Sequence, residues 1–166
     1  MRKQRSGLLI HVSSAAGRLA LPTMAAYCAS KFALEALADA YRFELSPFGV
    51  DSVIVEPGIH RTPILERFIE PADQQRLTQY GAAADYARNV KAVFEAGSHS
   101  QQTPGVEPVV QSFVDLIETA PGERPLRTVP TAAIDPLLRP YNDAAIGLRQ
   151  VVAQIFNVPD LLVLKR

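Results

Sequence analysis

Gly7-Leu8-Leu9-Ile10-His11-Val12-Ser13-Ser14 and Val53-Ile54-Val55-Glu56-Pro57-Gly58 bracket a long run from Met24 to Leu45. The first stretch is short and mostly apolar, which predicts a strand buried on both faces, as in parallel sheets. Ser13 to Thr23 reads as a loop, punctuated by Gly17 and Pro22. From about Met24 to Leu45, Ala, Leu, Lys, Glu and Arg dominate, all good helix formers. Leu34, Leu37, Tyr41 and Leu45 recur at spacings of three or four and mark one apolar face. Ser46-Pro47-Phe48-Gly49 supplies both usual stop residues. Val53-Ile54-Val55 predicts a second short buried strand. Residues 7–58 therefore read strand, loop, helix, strand, a βαβ unit with parallel strands and a right-handed crossover.

Beyond this unit the pattern loosens. Residues 63–104 predict two or three helical pieces, broken at Pro71 and at Gly97-Ser98-His99-Ser100. A clearer helix follows from about Glu107 to Thr119, then a turn at Ala120-Pro121-Gly122. Leu126-Arg127-Thr128-Val129 predicts a third strand. A last helix runs from about Ile134 to Phe156, with Pro136 and Pro140 near its start. The fold class is α/β: about three parallel strands with flanking helices, in one domain over residues 1–166.

Composition narrows the function. Of the 166 residues, 48% are apolar and 20% charged, and the formal net charge is zero. This is a globular composition without the basic excess that nucleic acid or an anionic membrane would attract. Cys28 is the single cysteine, so no internal disulfide can form. With only three scattered histidines, a structural zinc site is not expected. No apolar run approaches the length of a membrane span. Met1-Arg2-Lys3-Gln4-Arg5 is basic, but the apolar stretch behind it, Leu8-Leu9-Ile10, is too short for a signal peptide. The expectation is a cytoplasmic protein.

Chemistry concentrates at the start of the long helix. Tyr27 and Lys31 are four apart, one turn along the same face. A free phenol titrates near pH 10, too high for acid–base work at neutrality. A nearby ammonium favours the phenolate, so such a pair can exchange a proton with an alcohol or ketone. Alone the spacing is weak, arising by chance in roughly one chain in eight of this composition, and a lysine snorkelling beside a half-buried tyrosine explains it as well. Position strengthens it. Ser14 lies thirteen residues before Tyr27, at the exit of the first strand, where open αβ sheets bind ligands. Pro57-Gly58 closes the second strand on the same edge, and Gly58 would let a flat ring approach the backbone. Thr62 adds a hydroxyl nearby.

Ile10-His11-Val12-Ser13-Ser14-Ala15-Ala16-Gly17, Tyr27-Cys28-Ala29-Ser30-Lys31-Phe32-Ala33 and Val55-Glu56-Pro57-Gly58 together resemble the short-chain dehydrogenase/reductase family. The likeness is close over residues 7–62 and loose at Leu126-Thr131, where the family places its last strand. It implies a Rossmann-like doubly wound sheet and hydride transfer between an alcohol or carbonyl substrate and NAD(H) or NADP(H). Tyr27 would be the general acid/base. Lys31 would favour its phenolate form and hydrogen-bond the nicotinamide ribose. Ser14, favoured over its neighbour Ser13 by the spacing, would hold the substrate oxygen. Pro57 and Gly58 would line the nicotinamide, and Thr62 would reach its carboxamide. The resemblance divides the chain into a catalytic βαβ core (7–62), a lid on the substrate side (63–105), and C-terminal helices with the last strand (106–166). It also implies a possible homo-oligomer through the helix at 24–45.

The family's Gly-rich turn, which holds the pyrophosphate at a helix N-terminus, has no counterpart here. Glycines stand at 7, 17, 49, 58, 81, 97, 105, 122 and 147, with no Gly-x-Gly among them. The Asn-Asn-Ala-Gly segment and the residue that selects NAD from NADP are likewise missing. The reading is therefore a C-terminal portion of such an enzyme, weakly active or inactive by itself. The alternative is a non-catalytic fragment or dimerisation module that keeps the helix interface. Of the remaining candidates, His60 sits where it could touch a substrate, His99 reads as a loop residue, and Cys28 as a packing residue with no base beside it.

Overall fold

A computed structural model describes residues 1–64, 69 and 71–165. Strand β1 is Gly7–Val12, helix α1 Ala25–Leu45 and strand β2 Val50–Val55. Helices α2 (Gln74–Thr78), α3 (Ala82–His99) and α4 (Glu107–Glu118) follow, then strand β3 (Arg127–Thr128) and helix α5 (Asp135–Ile155). Short 3₁₀ turns occupy Ala15–Gly17, Ser46–Phe48 and Pro159–Leu162. The three strands form one parallel sheet in the order β1-β2-β3. The expected βαβ unit is present, and β2 is the central strand, buried along its whole length.

The two faces of β2 differ in chemistry because alternate residues point to opposite sides. Val53 and Val55 join Leu8, Ile10, Val109, Phe113 and Leu116 in an apolar core under α4. On the other face Ser52 Oγ donates to the Ala38 carbonyl of α1 at 3.0 Å. That commits the serine proton, so His11 Nε2 donates to Ser52 Oγ across 3.0 Å. Burial lowers the His11 pKa, against the opposing pull of Glu35.

β2 begins at Val50, three residues before the apolar run suggested. Asp51 is the reason. Its fully buried carboxylate receives Arg42 Nη1 at 2.5 Å and Arg124 Nη1 and the Gly122 amide at 2.9 Å each. A charge that is paired and hydrogen-bonded on all sides can sit in a central strand. Gly49 makes the turn into β2 with φ +69°, and a Cβ there would lie 2.2 Å from the Arg5 carbonyl.

Helix α3 runs through Gly97-Ser98-His99, where the sequence suggested a break, and ends at His99. Ser98 Oγ donates back to the Glu95 carbonyl inside the helix. β3 is two residues long, shorter than the expected 126–129. Leu126 still contributes through its carbonyl, which accepts from Ile54 N at 2.8 Å. In the segment expected as a lid, residues 65–68 and 70 lie outside the described residues. Among the described residues no helix is long and apolar enough to cross a membrane, and no cluster of metal-ligating side chains occurs.

Candidate active site

The C-terminal ends of β1 and β2 are tied together beyond the sheet. Ser13 N donates to Val55 O at 2.8 Å and Ala15 N to Pro57 O at 2.9 Å. Between them Ser14, extended at φ −168° and ψ 161°, caps the Ala15–Gly17 turn. Its Oγ accepts from Ala16 N at 3.1 Å. The oxygen is thereby positioned while its proton stays available to a substrate oxygen. Ser13 turns the other way. It is buried, its Oγ has no hydrogen-bond partner among the described residues, and it stands 2.5 Å from where a Cβ on Gly17 would be. The two neighbouring serines are thus separated by burial, in favour of Ser14.

Tyr27 and Lys31 lie in the first two turns of α1. Lys31 Nζ donates to the Val12 carbonyl at 3.1 Å, anchoring the helix start to the exit of β1. The same ammonium is 5.8 Å from the centre of the Tyr27 ring, within range of a cation–π attraction. Tyr27 remains 38% exposed. Ser14 and Tyr27 are not hydrogen-bonded to each other among the described residues. A ligand oxygen would have to bridge them.

Gly58 is held by the segment that follows β3. Its amide donates to Thr131 Oγ1 at 2.8 Å. A Cβ on Gly58 would stand 2.8 Å from Ile134 Cγ1 and 3.1 Å from Thr131, so packing against the segment after β3 accounts for this glycine. His60 belongs to the same network. It is buried, with Nδ1 2.7 Å from Gly105 O and Nε2 2.8 Å from Thr131 Oγ1. A carbonyl can only accept, so Nδ1 carries a proton, and Nε2 shares a hydrogen bond with the Thr131 hydroxyl. His60 is therefore committed to joining three loops. Thr62 is half-buried.

Directly beneath the edge lies a buried charge cluster that sequence reasoning missed. Glu56, which precedes Pro57, is fully buried. Asn142 Nδ2 donates to its Oε2 at 2.6 Å, while Asn142 Oδ1 accepts from Arg18 Nε at 2.9 Å. Arg127 Nε lies 3.3 Å from Glu56 Oε1 and donates to Glu35 Oε2 at 3.0 Å, and its Nη2 donates to Asp39 at 2.6 Å. Burial pushes the Glu56 carboxyl up to about 7; the nearby Glu35 charge adds to the rise, and Asn142, Arg127 and Arg18 oppose it. Charged residues scattered over 18, 35, 39, 56 and 127 carry no local pattern that reveals such a cluster.

Two apolar grooves flank the loop that leads into α1. One, about 370 Å³, is lined by Thr23, Leu77, Tyr80 and Ala84 among others. The other, about 260 Å³, lies between Leu21-Pro22 and Val90, Val93 and Phe94 of α3. Neither includes Ser14, Tyr27 or Lys31. Lys31 meets the exit of β1 and the Tyr27 ring, and Ser14 follows on the same strand exit.

The family model for short chain dehydrogenases matches residues 1–73. The chain belongs to the short-chain dehydrogenase/reductase family. It is similar to retinol dehydrogenase 5 of Mus musculus, 45% identical over 62 residues, 37% of this chain and 19% of that protein. It is also similar to 17-beta-hydroxysteroid dehydrogenase type 1 of Homo sapiens, 32% identical over 157 residues, 92% of this chain and 46% of that protein. A short-chain dehydrogenase structure from Streptomyces avermitilis superposes with a TM-score of 0.59 at 24% identity, covering 95% of this chain and 53% of the other. That likeness shows a shared Rossmann-like fold. The chain spans about half the length, or less, of the dehydrogenases it matches.

Against the nicotinamide cofactor of this family, the residues fit in part. Lys31 and the Tyr27 and Ser14 hydroxyls suit the ribose and the reacting carbon's partner oxygen. The sequence holds no Gly-rich turn for the pyrophosphate.

Proposed function

We propose that Ser14, Tyr27 and Lys31 form the catalytic edge of an NAD(P)-dependent oxidoreductase that interconverts an alcohol and a carbonyl compound. The observation that carries this reading is the Lys31–Val12 hydrogen bond. It sets the ammonium beside Tyr27 at the strand exit that also presents Ser14. Bound NAD or NADP supplies the hydride acceptor or donor. In carbonyl reduction Ser14 donates a hydrogen bond to the substrate oxygen and polarises the carbonyl. Tyr27 protonates that oxygen as it becomes an alcohol, and the nearby Lys31 charge stabilises the phenolate left behind. Lys31 also holds the ribose, Pro57 and Gly58 border the nicotinamide, and Thr62 meets its carboxamide. Apolar grooves beside the edge, and relatives named for retinol and hydroxysteroids, favour a bulky apolar substrate.

Without a pyrophosphate cradle of its own, the 166-residue chain binds dinucleotide weakly and turns over little. NADPH-dependent reduction of an apolar ketone by the isolated chain at ordinary enzyme rates overturns that part of the proposal. In an active form, Tyr27→Phe abolishes turnover and leaves cofactor binding largely intact; retained turnover refutes the role of Tyr27. A second reading is a non-catalytic module that associates through α1. It is favoured by the exposure of Phe32 and Leu37 on that helix, and it predicts self-association without any nicotinamide binding.

A further inference from the structure

Helix α5 buries one stripe against the domain through Leu138, Asn142 and Ala153. A second stripe, well round the helix from the first, is exposed: Leu137, Tyr141, Ala144, Leu148, Val151 and Ile155. Its five large members are between 48% and 72% exposed. The spacing is four, three, four, three, four, the pattern of a coiled-coil seam. Within the chain the Arg18 guanidinium lies over the Tyr141 ring at 4.3 Å, and the other large members of the stripe stay exposed.

Three features identify what covers it. First, the stripe is symmetric about residue 146. Reversed and laid against itself, it sets Leu137 opposite Ile155, Tyr141 opposite Val151, and Ala144 opposite Leu148, so the two central kinds of pair match a large side chain with a smaller one and the outer pair is aliphatic on both sides. Such self-complementarity is what a two-fold interface requires. Second, the positions beside the seam carry no charge. Pro140, Gly147 and Gln154 stand on one side and Ala145 and Val152 on the other, so two copies meet without like-charge repulsion and nothing selects a charged partner. Gly147 stands in the helix interior with open space where its Cβ would be. A mid-helix glycine weakens a helix, no contact among the described residues requires it, and it leaves room for a second backbone to come close. Third, the area is sufficient. The stripe offers on the order of 600 Å² per copy, or about 1,200 Å² for the pair, the lower end of stable interfaces.

We propose that α5 pairs antiparallel with α5 of a second copy of this chain, about a two-fold axis level with Ile146. The antiparallel sense also sets opposite helix dipole ends together. This surface is separate from α1 and does not depend on the catalytic reading.

Sedimentation analysis of the whole 166-residue chain tests it. The wild type forms a dimer in the micromolar range. Leu148→Glu or Val151→Lys, both at exposed positions that leave folding intact by circular dichroism, weakens that dimer at least about thirtyfold. Val110→Glu, on the exposed side of α4, leaves it unchanged. Spin labels at Arg139→Cys and Gln150→Cys read the orientation. Their axial separations across the dimer are about 21 Å and about 12 Å in the antiparallel pair and near zero for both in a parallel one, from the helical rise. A wild type that stays monomeric at about 100 µM, a dimer or larger species that survives Leu148→Glu, or equal label distances overturns the proposal.

Discussion

Arg127→Met removes the only cation that touches all three of Glu35, Asp39 and Glu56 in the described structure. Methionine keeps much of the apolar stem and adds no charge. Three buried or half-buried carboxylates are then left with Asn142 and the more distant Arg18, 3.7 Å from Glu56. Breaking a buried pair by removing one partner costs about 3–5 kcal/mol, because the orphaned charge remains in a poorly solvated place. For a chain of this size that is a fall in melting temperature of roughly 10–15 °C. The sign of its pH dependence follows from the same charges. Arg127 is one of the charges that hold the Glu56 carboxyl down, so its loss raises that pKa further and the variant is destabilised most where Glu56 must ionise. The loss is largest near pH 8 and shrinks near pH 5, where protonation removes the charge. Thermal melts of both proteins at the two pH values measure this. A loss under about 1 kcal/mol, or an equal loss at both pH values, refutes the claim that Arg127 neutralises the cluster.

Glu56 has a folded pKa of about 7, raised from 4.5. The native state therefore holds a proton that the unfolded chain has lost between those values, and stability falls as pH rises through that window, by up to about 3 kcal/mol. Glu56→Gln flattens this fall in denaturant titrations taken between pH 5 and 8; an unchanged slope rejects the assignment. Thr131→Val leaves the Gly58 amide and His60 Nε2 without their partner, at a cost of about 1–3 kcal/mol. Amide exchange at Gly58 then speeds up by a matching factor, and unaltered protection contradicts the network. Ser14→Ala in an active form lowers kcat/KM for carbonyl reduction by roughly 10²-fold with little change in cofactor affinity; a purely structural Ser14 would move stability instead.

The βαβ unit was legible because it rests on local patterning. β1 is a short apolar run, α1 a continuous stretch of helix formers, and Tyr27 and Lys31 share a face by spacing alone. Long-range pairing hid the rest. Asp51 and Ser52 look unsuited to a buried strand until Arg124, 73 residues away from Asp51, is seen on its carboxylate. His60 read as a possible substrate contact because its partners, Gly105 and Thr131, lie 45 and 71 residues further on. The packing of Gly58 against Thr131 and Ile134 was hidden for the same reason, since those partners lie far along the chain. The exposed seam of α5 was present in the residue spacing, but the helix has two apolar stripes, and only burial distinguishes the one already used.

The placement of Lys31 at the strand exit is the claim on which the catalytic reading stands. Nicotinamide mononucleotide at millimolar concentration tests it without needing a pyrophosphate cradle. Added to the isotope-labelled chain, it should shift the amide resonances of Val12, Ser14 and Gly58. The shifts should vanish in Lys31→Met and persist in Tyr27→Phe. Shifts that survive Lys31→Met, or that fall on residues far from the ends of β1 and β2, would contradict the account.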